Sequence, residues 1–177
     1  MKKTILIMLL VLLTMAINAQ NRVKFTLDKS CTFVIPNSET NYYVFNYEGE
    51  SQATLFNKTL IGATKTFVSA KDVVSKVENN MISINASHVL ANTIGGLISY
   101  NIYINYVVEF EFKEGKIKVN APKIISIRDA DGELAPTKDF ILSSSGELGT
   151  GWEKYLFVND VINSILCNLD FKSSNDW

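Results

Sequence analysis

The chain has 177 residues, enough for one domain. Apolar residues make up 47% and charged residues 20%, a balance that excludes a disordered chain. A net charge of −1 excludes a strongly basic nucleic-acid binder, and two cysteines with a single histidine exclude a convincing metal site.

The first segment, MKKTILIMLLVLLTMAINA, pairs a basic start at Lys2 and Lys3 with an apolar run from Ile5 to Met15 and small residues ending at Ala19. That is the pattern of a secretory signal peptide, and the run is short for a membrane span, which needs about 20 residues. The expected organisation is a signal peptide over residues 1–19 and one α+β domain over 20–177. Cleavage would leave no integral membrane span and place the protein in the periplasm or outside the cell. No cysteine closely follows the apolar run, so a lipid anchor is not expected. Removing residues 1–19 takes two lysines and no acidic residue, leaving 15 basic against 18 acidic side chains and a net charge near −3. Nucleic acid and anionic membrane surfaces are poor partners for such a chain. Export permits a disulfide between Cys31 and Cys167, but spacing does not pair them, and two separate thiols are the simpler expectation.

Val23, Phe25 and Leu27 alternate with polar residues and predict a short strand; CTFVIP predicts another, stopped by Pro36. NYYVFNYEG, rich in aromatic and β-branched residues, predicts a third. Ser51 then caps a helix whose Ala53, Phe56, Leu60, Ala63 and Phe67 share one face, with Gly62 a weak point. SAKDVVSKVENN reads as a connector. MISINASHVL alternates, with Ile82, Ile84 and Ala86 on one side and His88 in the same parity.

The longest pattern is SYNIYINYVVEFEF. Tyr100, Ile102, Ile104, Tyr106, Val108, Phe110 and Phe112 share one face; Asn101, Tyr103, Asn105, Glu109, Glu111 and Lys113 share the other. A clean period of two predicts an antiparallel strand, buried on one face and wet on the other. Glu114-Gly115 supplies a two-residue turn. Parity then sets Phe112 against Ile117, Phe110 against Val119 and Glu111 against Lys118. Ile125 and Ile127 continue that parity past Pro122. FILSSS predicts a last short strand. Thr150 and Glu153 have capping-box spacing, ahead of an apolar helical stripe of Tyr155, Val158, Ile162, Ile165, Leu166 and Leu169. The expected fold is an α+β two-layer sandwich, β-α-β-β-β-α, with an antiparallel β-sheet and both helices packed on one face.

The exported N-terminus, the strand–helix opening, KDVV (Lys71 to Val74) before the strand at Ile82, the hairpin EFEFKEGKIKV (Glu109 to Val119) and the C-terminal helix resemble a secreted bacterial domain-of-unknown-function family with a TATA-binding-protein-like (TBP-like) fold. That resemblance implies the fold. It implies no activity and no catalytic residue, and fold alone does not bring DNA binding.

No catalytic, metal or cofactor-binding residues are expected. His88 stands alone, without a nucleophile-elbow motif. RDADGELAP fails the EF-hand rule whether Asp129 is placed first or Gly132 sixth, and reads as a turn. Glu109 and Glu111, beside Lys113, Lys116 and Lys118, read as a salt-laced wet face. The leading functional expectation is a non-catalytic exported module that binds another protein or an envelope component. A small apolar-ligand carrier lined by Tyr100, Tyr106 and Phe110 is the alternative, and a hydrolase using Glu109 or His88 ranks last. VLANTIGGLI is very apolar for a connector. Either Leu90, Ile94, Leu97 and Ile98 form a partner contact, or the flanking strands extend toward a turn at Gly95-Gly96 and these side chains are core.

Overall fold

The computed structural model describes residues 22–95, 99–128 and 133–169. The segment expected to be a signal peptide, its expected cleavage site, Leu97, Ile98, Asp129 and Gly132 lie outside the described residues.

The centre is a seven-stranded antiparallel sheet. Its strands are β3 (Tyr42–Asn46), β4 (Val74–Val77), β5 (Met81–Gly95), β6 (Ser99–Lys113), β7 (Lys116–Asn120), β8 (Lys123–Arg128) and β9 (Leu134–Ala135). The main path runs β3-β7-β6-β5-β4, while β8 pairs with β6 beyond the end of β7, and β9 pairs with β8. A two-stranded ribbon, β1 (Thr26–Leu27) with β2 (Phe33–Val34), precedes it. The fold is therefore α+β, as expected, with more strands than β-α-β-β-β-α allows. The connector SAKDVVSKVENN is in fact a helical turn, α2 (Ala70–Val73), followed by edge strand β4.

Helix α1 (Gln52–Thr66) starts where Ser51 accepts a hydrogen bond from the Thr54 amide at 3.1 Å. Its buried face is Leu55, Phe56, Thr59, Gly62 and Ala63. Phe56 and Ala63 were expected there, but Ala53 is exposed and Gly62 sits inside the packed face. The C-terminal helix α4 (Phe157–Leu166) follows a 3-10 turn (Trp152–Leu156) and ends in another (Cys167–Leu169). All six residues of its expected stripe are buried. The Thr150 capping box does not form: Gly151 precedes the turn with φ 85, and no side chain caps it. FILSSS is not a strand; Phe140 and Ile141 end helix α3 (Thr137–Ile141).

Both long helices lie on one side of the sheet. Phe56 of α1 meets Phe112 edge-on at 5.5 Å between centroids, and Phe157 of α4 meets Tyr106 edge-on at 5.9 Å. Phe112 and Tyr106 belong to the same face of β6, and every second residue from Ile102 to Phe112 on that face is buried.

The N-terminal segment is held by helix α4 more than by strand pairing. Asn163 and Asn159, one helical turn apart, each bond one backbone residue twice. The Val23 amide donates to Asn163 Oδ1 at 2.8 Å and Asn163 Nδ2 donates back to the Val23 carbonyl at 3.2 Å. Asn159 treats Phe25 alike, at 3.0 and 2.9 Å. Val23, Phe25 and Leu27 are buried as their alternation implies, yet only Thr26–Leu27 pairs as strand. Side-chain amides satisfy the backbone groups that a neighbouring strand would otherwise take. No disulfide joins Cys31 and Cys167; Cys31 sits in a tight turn with φ 61, and Cys167 is exposed.

Candidate functional site

At the β6–β7 hairpin, parity and structure agree pair by pair. Phe112 opposes Ile117, Phe110 opposes Val119 and Glu111 opposes Lys118. Lys118 Nζ lies 3.0 Å from Glu111 Oε1 and 4.9 Å from the Tyr42 ring centroid. Hydrogen bonds from Asn120 and Lys118 outweigh partial burial and hold the Glu111 carboxyl below its ordinary range, with the charges of Lys118 and Lys113 adding to the shift.

At the other end of β6 the alternation of its partner is interrupted twice. Ala86 opposes Tyr106 and Val89 opposes Ile104, so Ser87 and His88 together face Asn105. This is a β-bulge. His88 takes φ 55, and its amide donates to Asn105 Oδ1 at 2.6 Å. The extra residue turns His88 out of the core parity expected for it: its ring is exposed and stacks on Tyr103 at 4.2 Å and 9°. A second irregularity at Ala91, between the pairs Leu90–Tyr103 and Asn92–Ile102, restores the original parity. A third, at Ile125, leaves Ile127 in the core but makes Ile125 61% exposed.

VLANTIGGLI is therefore not a connector. Strand β5 runs to Gly95, which pairs with Ser99. Beyond the Tyr103–Arg128 pair, β5 and β6 pair with no other strand among the described residues and form a two-stranded arm, touched by the 3-10 turn where Lys154 Nζ donates to Asn92 Oδ1. At its base Ile102 is still buried, but the apolar side chains further out are not core: Leu90 is 52% exposed, Ile94 47% and Tyr100 50%. Register places them on two faces. Ile94 opposes Tyr100 on the helix side, whereas Leu90 opposes Tyr103 on the open side. The open side is braced by Thr93 Oγ1 donating to Asn101 Oδ1 at 3.0 Å, Asn101 Nδ2 to the Tyr103 hydroxyl at 3.3 Å, and Asn105 Nδ2 to Ser126 Oγ at 2.8 Å. Sequence reading missed this brace because its members come together only after the bulges.

The residues named for other chemistry are scattered. Glu109 opposes Ser83, four residues along β6 from Asn105, which puts it roughly 13 Å from the bulge at His88. No carboxylate or hydroxyl bonds the His88 ring among the described residues. Tyr106 and Phe110, named as a ligand lining, are themselves buried in the core, while Tyr100 lies out on the arm. Among the described residues no group of His, Cys, Asp and Glu is arranged to hold a metal, and no helix is long and apolar enough to cross a membrane.

No protein-family model and no curated protein matches the chain. Two solved structures resemble it. One is a DUF4468 family protein from Bacteroides ovatus, 14% identical, with a TM-score of 0.54 over 90% of this chain and 98% of that one. The other is a TBP-like protein from Parabacteroides distasonis, 16% identical, with a TM-score of 0.45 over 72% and 85%. At these identities the likeness concerns fold. Over nine-tenths of its length, the chain has the α+β fold of a bacterial domain-of-unknown-function protein.

Proposed function

We propose that this is an exported, non-catalytic binding module, and that it engages another protein or an envelope component through the β5–β6 arm. One observation carries the reading: the arm runs past every neighbouring strand and presents Leu90, Ile94 and Tyr100 about half exposed. Apolar side chains placed where no core can cover them are what a contact surface uses. Leu97 and Ile98 continue the same apolar composition in sequence.

A photo-cross-linking residue at Ile94, introduced in the native host, tests this directly. The control is the same residue at Ile61, about as exposed on helix α1. A discrete adduct from position 94, absent from position 61 and lost with Tyr100→Ser on the same face, supports the arm. Equal labelling at both positions rules it out. Intact mass of the secreted protein tests export: cleavage after Ala19 leaves Gln20 first, and a retained Met1 contradicts it.

A further inference from the structure

A strand at the end of a sheet exposes unpaired backbone groups, and most chains blunt such edges with charge, proline or bulges. Two of the edges here follow that rule. Strand β4 carries Lys76, and the free edge of β5 beyond Ile84 is broken by two irregularities. Strand β3 has none of these devices. Its sequence YYVFN is uncharged, and it pairs with β7 without a register shift.

Hydrogen bonds show which way its backbone points. The Ala121 amide donates to the Asn41 carbonyl at 2.8 Å, and the Tyr47 amide to the Gly115 carbonyl at 2.7 Å. Alternation between these two ends turns the amides and carbonyls of Tyr43 and Phe45 toward β7, and those of Tyr42, Val44 and Asn46 away from the sheet. The outward groups have no backbone partner among the described residues. The side chains there are open too: Tyr42 is 37% exposed and Val44 46%.

We propose that β3 is an interface to a second copy of this chain, paired antiparallel, edge to edge, about a two-fold axis at Val44. The strand is nearly its own complement in that register. Val44 meets Val44 of the second copy, Tyr42 meets Asn46, and Tyr43 meets Phe45. Each outward residue exchanges both hydrogen bonds with its opposite, and no charged side chain of β3 faces a like charge. Of the lysines on the neighbouring β7, Lys118 reaches over the Tyr42 ring but is paired with Glu111 at 3.0 Å. An isologous contact needs this kind of self-matching pattern. Five residues a side make an interface well below the roughly 1,200 Å² of stable complexes, so the dimer is reversible and concentration-dependent. This contact is separate from the arm and does not depend on it.

Sedimentation equilibrium of the mature chain tests the proposal. The expected result is a monomer–dimer equilibrium that Val44→Pro weakens at least tenfold while Val44→Ile leaves it intact. Proline fits at this position because the Val44 amide takes no part in pairing with β7. Amide hydrogen exchange of the unaltered protein supplies a second reading. The Tyr42, Val44 and Asn46 amides gain protection as concentration rises, while those of Tyr43 and Phe45 are protected throughout. A chain that stays monomeric to millimolar concentration overturns the proposal. So does a dimer that is indifferent to Val44→Pro or shows no concentration-dependent protection at Val44.

Discussion

Strand β6 is the spine of the sheet, and its two ends behave differently. Toward Lys113 it pairs with β7 in unbroken alternation, one face in the core and the other in water. Toward Ser99 its partner β5 carries two one-residue irregularities and leaves the sheet as an arm. Both ends are hairpin strands rich in apolar residues, yet toward Ser99 the cover stops at Ile102, and Ile94 and Tyr100 beyond it are half exposed. Apolar alternation therefore states which side chains share a face; whether that face is buried depends on what lies over it.

The largest effect that separates the two ends is truncation. Phe110→Ala should cost about 3–5 kcal/mol, because the ring is fully buried under the helices. The pair Leu90→Ser and Ile94→Ser on the arm should cost no more than about 1 kcal/mol together, within the range of surface changes. Urea unfolding of the two variants decides the matter. A loss of several kcal/mol from the arm pair would place those side chains in a core.

A change at the bulge comes next. His88→Val puts a β-branched residue at φ 55 and should destabilise by about 1–2 kcal/mol although the site is exposed. Ser87→Val, exposed beside it without the left-handed backbone, should be nearly neutral. Equal effects would mean that the turn at His88 is not what breaks the alternation.

Tyr106 lies at the junction, in the last regular pair before the bulge. Burial pushes its phenol up to about 12. An unfolded tyrosine ionises near 10, so above that pH the unfolded chain sheds a proton that the folded chain retains. The stability linked to Tyr106 is complete below about pH 10 and falls as pH rises toward 12. Tyr106→Phe should flatten part of that alkaline loss, seen as melting temperature against pH. An unchanged alkaline slope would show that the ring is not sealed at the junction.

The smallest effect belongs to the regular end. A double-mutant cycle on Glu111 and Lys118 should return a coupling of about 0.2–1 kcal/mol, since both side chains are more than one-third exposed and salt screens them. The carboxyl is held low when folded, so this stabilisation is present above the ordinary carboxylate range and fades as pH falls through the lowered value. A coupling that salt leaves untouched would indicate a pair more enclosed than the hairpin face allows.

The hairpin register at Glu114-Gly115 and the buried stripe of α4 were legible from residue order alone. In both, the signal is local: side chains two apart on a strand, or three and four apart on a helix, sort by face wherever the backbone is regular. Residue order also placed the start of α1 at Ser51, because a cap acts within one turn. His88, Ile125 and the arm were decided by tertiary structure. A bulge exists only relative to a partner strand, so no pattern along one strand reveals the residue at which its parity reverses. The same holds for the open edge of β3: YYVFN reads as any half-buried strand until the strand order puts no described strand beside it. The docking of Val23 and Phe25 onto Asn163 and Asn159 joins residues more than 130 positions apart, and it rests on backbone groups that every residue carries alike. Which of those groups meet is a matter of three-dimensional packing, because side-chain type does not distinguish one amide or carbonyl from the next.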